Sequence, residues 1–252
     1  MARTAVRGRL IWRLADVRAT ADETVRTRTI ELNVPGWPGH LPGQHIDVRL
    51  TAEDGYQAQR SYSIATPADG TRLAITVDRL MDGEVSPYLT DELRPGDKLE
   101  LRGPIGGYFV WQPNRGGPLL LFGGGSGVVP LMAMLRERVR TGSRVAVRML
   151  VSSRSWEEVI YRAELEAIPS EQAGVEIVHA LTRSQPPGWT GYNRRVDQGM
   201  LGEVAWPPSE GPHCYVAGPT GFVETVASGL VELGHAPHMI MTERFGPTGG
   251  GR

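Results

Sequence analysis

In Arg60-Ser61-Tyr62-Ser63 charge, aromaticity and hydroxyls alternate along the chain. On a strand successive side chains face opposite ways, so Arg60 and Tyr62 share one side and Ser61 and Ser63 the other. A guanidinium beside an aromatic ring suits the phosphate and one ring face of a flavin, while Ser63 or its backbone could hydrogen-bond the reactive edge. A solvent-facing pair on an edge strand is the plain alternative. A second stretch, Gly123-Gly124-Gly125-Ser126-Gly127, lies between a predicted strand and a helix predicted to begin near Pro130. Glycines there let backbone amides approach a diphosphate, and the helix N-terminus adds partial positive charge. The spacing departs from the GxGxxG fingerprint, and a tight strand-to-helix turn would need the same residues.

An acid after the second strand of such a unit binds ribose hydroxyls, whereas arginine favours a 2′-phosphate. Here that strand is expected to end in Ser152-Ser153-Arg154, and Arg183 and the pair Arg194-Arg195 lie further on. Guanidinium geometry suits phosphate, so the reading tilts to NADPH with NADH as the alternative. Each arginine taken singly is equally an ordinary surface cation.

Two textures must position these residues. Up to about residue 110 the chain shows short alternating runs, such as Ile46, Val48, Leu50 and Leu73, Ile75, Val77, separated by Pro-Gly breakers. That is the pattern of an antiparallel barrel or sandwich, with one short helix expected around Ser86. From Pro118 apolar strands alternate with amphipathic helices, which predicts a parallel sheet of βαβ units. Strands are expected over 119–122, 145–151, 175–181 and 215–217, and helices carrying Leu131 and Val139, Trp156 to Ala163, and Phe222 to Leu233. The polar QPNRGG stretch at 112–117 reads as a linker. Residues 1–114 and 115–252 are therefore expected to form two domains.

The 27 basic and 28 acidic residues leave a net charge of −1, which provides no global field for nucleic acid or an anionic membrane. No stretch approaches the ~18 unbroken apolar residues of a spanning helix, and the arginine-dotted start is not a signal peptide, so a cytoplasmic setting is expected. Arg3, Arg7, Arg9 and Arg13 could build a basic docking face or a solvated tail. The single cysteine, Cys214, excludes an internal disulfide and an iron–sulfur cluster held by this chain's own thiolates, which needs about four. His235 and His238 have no supporting ligands in sequence and are not read as a metal site.

Arg60-Ser61-Tyr62-Ser63, Val77-Asp78-Arg79, Gly83-Glu84-Val85-Ser86, the glycine turn ending at Pro130, Gly218-Pro219 and Glu243-Arg244-Phe245-Gly246 occur in the order found in the ferredoxin–NADP reductase superfamily, which the chain resembles over residues 8–246. Pro42-Gly43-Gln44-His45 and Gly103-Pro104-Ile105-Gly106 are similar to that family's pattern too. The resemblance implies an N-terminal antiparallel β-barrel that binds flavin and a C-terminal α/β parallel-sheet domain that binds a nicotinamide dinucleotide. FAD is the implied flavin, with FMN second, and hydride would pass to it from NADPH or NADH.

By resemblance, Arg60 would meet the flavin diphosphate, Ser61 would belong to the same stretch of the flavin site, Tyr62 would lie against the isoalloxazine, and Ser63 would sit near the nitrogen that takes hydride. Val77, Asp78 and Arg79 would line the ribityl and ribose side, and Gly83, Val85 and Ser86 would bind diphosphate. Gly125, Ser126 and Gly127 would meet the dinucleotide's diphosphate, with Gly218 and Pro219 alongside. Thr182 would lie on the path to the nicotinamide, with Ser153, Arg154, Arg183 and Arg195 toward the adenosine phosphate. Glu243 would be the acid beside the nicotinamide, and Phe245 would cover part of the flavin. Ala217 stands where the family commonly has cysteine, and Cys214, at an odd offset, would point into the core. The electrons would leave to a separate ferredoxin, flavodoxin or oxygenase component. A flavin-bearing subunit of a larger complex is the alternative.

Overall fold

A computed structural model describes residues 10–246. Six antiparallel strands form the first unit: β1 Trp12–Asp22, β2 Thr27–Asn33, β3 His45–Thr51, β4 Gln57–Ser63, β5 Arg72–Asp78 and β6 Lys98–Ile105. Their order is β4-β3-β6-β1-β2-β5. The two edges meet where Ile64 bridges Ile75 and Ala65 N–H donates to Ala74, so the sheet closes into a barrel. On β3 Ile46 and Val48 are fully buried and Arg49 lies outside, paired with Glu100, but Asp47, expected outside, is buried too, beneath Ser61 and Arg102. On β1 a register shift between Val17 and Ala19 breaks the two-residue period, which hides an 11-residue strand from pattern reading.

The second unit is a five-stranded parallel sheet of β7 Leu119–Gly124, β8 Val147–Ser153, β9 Val175–Leu181, β10 His213–Pro219 and β11 Ile240–Phe245, in the order β11-β10-β7-β8-β9. Around it lie α1 Val128–Arg140, α2 Arg162–Glu171, α3 Gln198–Val204 and α4 Thr220–Glu232. Three details depart from expectation. α1 begins at Val128, because the glycine stretch is itself a tight helical turn and proline is tolerated in a helix's first turn. Residues 155–161 are bends and turns rather than helix, since Tyr161 takes the left-handed conformation (φ 59°) and α2 starts only after it. β11 and α3, the latter capped by the Asp197 carboxylate accepting from Met200 N–H, were not foreseen. Among the described residues no helix is long and apolar enough to cross a membrane.

The units are joined by packing. Phe109 and Trp111, ahead of the polar 112–117 stretch, are buried in the core of the second sheet. Gly43 supports that crossing: at φ +94° it passes so near that a Cβ would lie 1.9 Å from the Phe109 carbonyl oxygen, which only glycine permits. Arg136 of α1 donates to the Ala65 carbonyl at 2.7 Å and holds Glu164 through two bonds of 2.9 and 2.5 Å. The Tyr161 hydroxyl bonds Thr76 of β5; Thr76 lies 2.8 Å from Thr29, and Thr29 lies 2.6 Å from Glu23. A carboxylate only accepts, so Thr29 donates to Glu23, Thr76 to Thr29 and Tyr161 to Thr76, a chain that runs one way across the interface.

Candidate functional site

Cross-strand register pairs His45 with Ser63, Ile46 with Tyr62 and Val48 with Arg60. Arg60, with about half its side chain exposed (53%), reaches Glu84 of the Gly83–Ser86 stretch at 3.0 Å, and Tyr56 donates to the same carboxylate at 2.6 Å. Those two partners, Tyr56 first, hold Glu84 below the usual carboxylate range. Arg60 thus carries an anion that a diphosphate can displace. Tyr62 is half-buried, and burial pushes its hydroxyl strongly upward, so it stays neutral.

Several residues of this half serve the scaffold. Ser61 donates to Asp47 at 2.7 Å, on the face opposite Arg60 and Tyr62, where Arg102 also meets Asp47 at 2.9 Å. Ser86 Oγ is buried and accepts from Leu80 N–H at 3.1 Å, which shapes the turn around Gly83. The side chains of Val77 and Val85 are fully buried in the barrel core, leaving only their backbones for a ligand. Arg79 pairs with Asp91 at 2.9 Å.

The two units meet at Glu243. It is paired in register with Ala217 on β10, and its Oε1 lies 3.9 Å from Nδ1 of His45, the neighbour of Ser63. Burial pushes Glu243 up to about 7, so that it titrates near neutrality, and pushes His45 down, which keeps the imidazole neutral there and argues against an ion pair. Glu243 Oε2 is buried without a partner, a polar atom aimed at something outside this chain's own hydrogen bonds. Phe245, two residues on, pairs in register with Pro219. Sequence reasoning quoted His45 in a motif but gave it no role, because its proximity to Glu243 depends on how the two sheets meet.

In the second sheet the chain order reverses between β7 and β10, the topological switch point at which open α/β sheets bind ligands. A Cβ on Gly127 would lie 2.0 Å from the Ala217 carbonyl oxygen, and one on Gly218 would lie 2.8 Å from that of Gly124. The two turns are therefore locked together at the strand ends. Above them a cavity of about 520 Å³ is lined by Gly124, Gly125, Ser126, Ser153, Arg154, Thr182, Arg195 and Pro219. Asp78 of the barrel, expected toward the flavin, lines this cavity as well. Arg183 is exposed and lies outside the lining, while Arg194 is engaged by Asp197 at 2.7 Å. Cys214 is fully buried, and burial pushes its thiol up to about 12. Of the basic residues considered for docking, Arg13 lies on β1, and Arg3, Arg7 and Arg9 fall outside the described residues.

Residues 16–110 match the family model of an oxidoreductase FAD-binding domain, and residues 121–228 that of an oxidoreductase NAD-binding domain. The chain is 32% identical over 210 residues to a ferredoxin–NADP reductase B of Sorangium cellulosum, covering 81% of this chain and 84% of that one. It is 32% identical over 210 residues to a glycine betaine monooxygenase reductase subunit of Chromohalobacter salexigens, covering 82% of this chain and 56% of that one. With a flavohaemoprotein of Pseudomonas putida the match covers 51% of the relative, so the chain spans about half the length of several curated relatives. The FAD/NAD-binding domain of a nitric oxide dioxygenase from Vibrio cholerae superposes with a TM-score of 0.83 at 26% identity, covering 93% of this chain and 99% of that one. A closed barrel, a Rossmann-type sheet and these matches converge, and the chain belongs to the ferredoxin reductase and flavohaemoprotein-like family of oxidoreductases, with an FAD-binding domain followed by an NAD-binding domain.

Proposed function

We propose that the protein takes hydride from NADPH, with NADH the poorer donor, and delivers electrons by way of FAD to a separate protein acceptor, a ferredoxin, a flavodoxin or an oxygenase component. The observation that carries the reading is the 3.9 Å approach of His45, register partner of Ser63, to Glu243 of the other unit, which joins the flavin and nicotinamide halves at one point. The donor set fits both groups: a half-exposed arginine and a half-buried tyrosine for FAD, and a glycine-built strand-end turn with Arg154 and Arg195 for a phosphorylated dinucleotide. FAD, when bound, supplies the redox chemistry.

The chain's own residues bind, orient and hold protons. Arg60 neutralises diphosphate charge, Tyr62 covers the ring, and Ser63 offers its hydroxyl at the reacting edge. Glu243, raised to about 7 by burial, is protonated in a large fraction of molecules at neutral pH, and in that form presents a hydrogen-bond donor toward the nicotinamide. We place the division between the domains near Asn114, in the exposed turn Pro113–Arg115. The names of the relatives, a monooxygenase reductase subunit and a ferredoxin–NADP reductase, support a protein acceptor.

Anaerobic titration of the purified yellow protein with NADPH and with NADH tests the reading. Bleaching by NADPH at lower concentration is expected, with the preference reduced in Arg154→Ala and Arg195→Ala. Preference unaffected by either change would sink the 2′-phosphate assignment. The alanine at position 217 favours a second reading, a relay subunit of a larger complex, which would replace the first if neither dinucleotide bleached the protein.

A further inference from the structure

The dinucleotide cavity has a wall the sequence did not announce. Arg26 lies in the turn between β1 and β2, and Thr24 Oγ1 fixes that turn by accepting from the backbone N–H groups of Arg26 at 3.2 Å and Thr27 at 3.1 Å. From this mount the barrel's Arg26 reaches across to the second unit, where its Nη2 lies 3.5 Å from Glu158 Oε2. Arg154 Nη1 lies 4.0 Å from the same oxygen. Two guanidiniums from different domains thus share one carboxylate oxygen, and all three residues line the cavity that holds the glycine turn.

These contacts are loose. Both are long, single-oxygen approaches between side chains 38–50% exposed. Such pairs are individually weak, unlike the two-bonded Arg136–Glu164 pair nearby. A phosphate has three free oxygens and can give each of two guanidiniums an oxygen of its own, whereas here the two share one carboxylate oxygen. Asp78, 3.6 Å from Arg26 Nη2, adds a second weak anchor on the barrel side. The arrangement is two cations parked on a displaceable anion at the mouth of the site.

We infer that Arg26 is a ligand for the dinucleotide's adenosine 2′-phosphate, sharing it with Arg154, and that Glu158 is the internal anion this phosphate displaces. The dinucleotide is then gripped by residues of both domains. This rests on the assignment of Arg154 to the 2′-phosphate.

The probes are 2′,5′-ADP and 5′-ADP, which differ by that phosphate and carry no nicotinamide, titrated calorimetrically into the FAD-loaded protein. Arg26→Ala is expected to weaken 2′,5′-ADP about tenfold, the scale of a lost charge-assisted hydrogen bond. The same change should alter 5′-ADP less than about twofold, and Arg26→Lys should recover part of the loss. Glu158→Gln is expected to tighten 2′,5′-ADP about threefold by removing the competitor. A change below about twofold in Arg26→Ala, or an equal loss for both probes, overturns the assignment of Arg26. Unchanged or weaker binding in Glu158→Gln overturns the displacement. Arg154→Ala separates this proposal from its foundation: if it too leaves 2′,5′-ADP unaffected, the 2′-phosphate reading itself fails, whereas a loss in Arg154→Ala alone removes only the role of Arg26.

Discussion

The two phosphate sites proposed for this chain are built in opposite ways. In the barrel the key cation, Arg60, is a side chain resting on a carboxylate, exposed and free to change partner. In the second unit the proposed anion site is backbone, made by glycines packed so closely against β10 that Gly127 has no room for a methyl group. A site made of a movable side chain can be altered without disturbing the fold. A site made of packed backbone cannot, because the contacts that shape it also hold two strands together.

The sharpest way to break that contrast is Gly127→Ala. With its Cβ 2.0 Å from the Ala217 carbonyl oxygen, backbone must move, and a loss of about 3 kcal/mol or more is expected by denaturant titration, whether or not ligand is present. A soluble variant of unchanged stability would show that the glycine turn is not the locked element described above.

Glu243→Gln follows, at the seam between the halves. The carboxyl is raised to about 7 when folded against 4.5 as its ordinary value, so the folded state binds the proton more tightly. The wild type therefore loses stability as pH rises from about 4.5 to about 7 and no more beyond it, by at most about 3 kcal/mol for this one group. The amide variant lacks that loss, so its stability relative to wild type should improve across this window when both are measured at matched pH. A constant difference would show that Glu243 is not a proton-holding group.

Arg60→Ala should weaken FAD retention about tenfold while moving stability of the FAD-free protein by less than about 0.5 kcal/mol. Dialysis followed by absorbance, with melting of the stripped protein, checks both parts. The smallest effect is expected from Tyr161→Phe, which removes the donor that begins the hydroxyl chain into the barrel and should cost about 1 kcal/mol. If only the second unit's melting shifted, the two halves would be energetically separate.

What could be read in advance follows the range of the interactions. β9, an edge strand, was legible to the residue because Val175, Ile177, Val178, Ala180 and Leu181 make a compact apolar run, and the glycine turn between strand and helix was legible because its signal is local. The Trp156–Tyr161 stretch misled because apolar residues at helical spacing occur there without a helix, the period being cut by a left-handed tyrosine. β11 went unread since it is an edge strand whose charges, Glu243 and Arg244, interrupt its short apolar run. His45, Arg26 and Glu158 were given no role for a different reason. Each acquires its meaning only from a residue in the other domain, and nothing in a linear spacing encodes how two domains meet.

β5 shows how that meeting is set. Its large residues, Leu73, Ile75 and Val77, fill the barrel, while Ala74 and Thr76 on its other side are buried under the second unit. One strand is thus the inner wall of one core and the outer wall of another, and the two small side chains act as a spacer gauge. A bulkier residue at Ala74 or Thr76 would widen the gap between the domains, lengthening the distance across which hydride must pass without touching any residue that binds either cofactor.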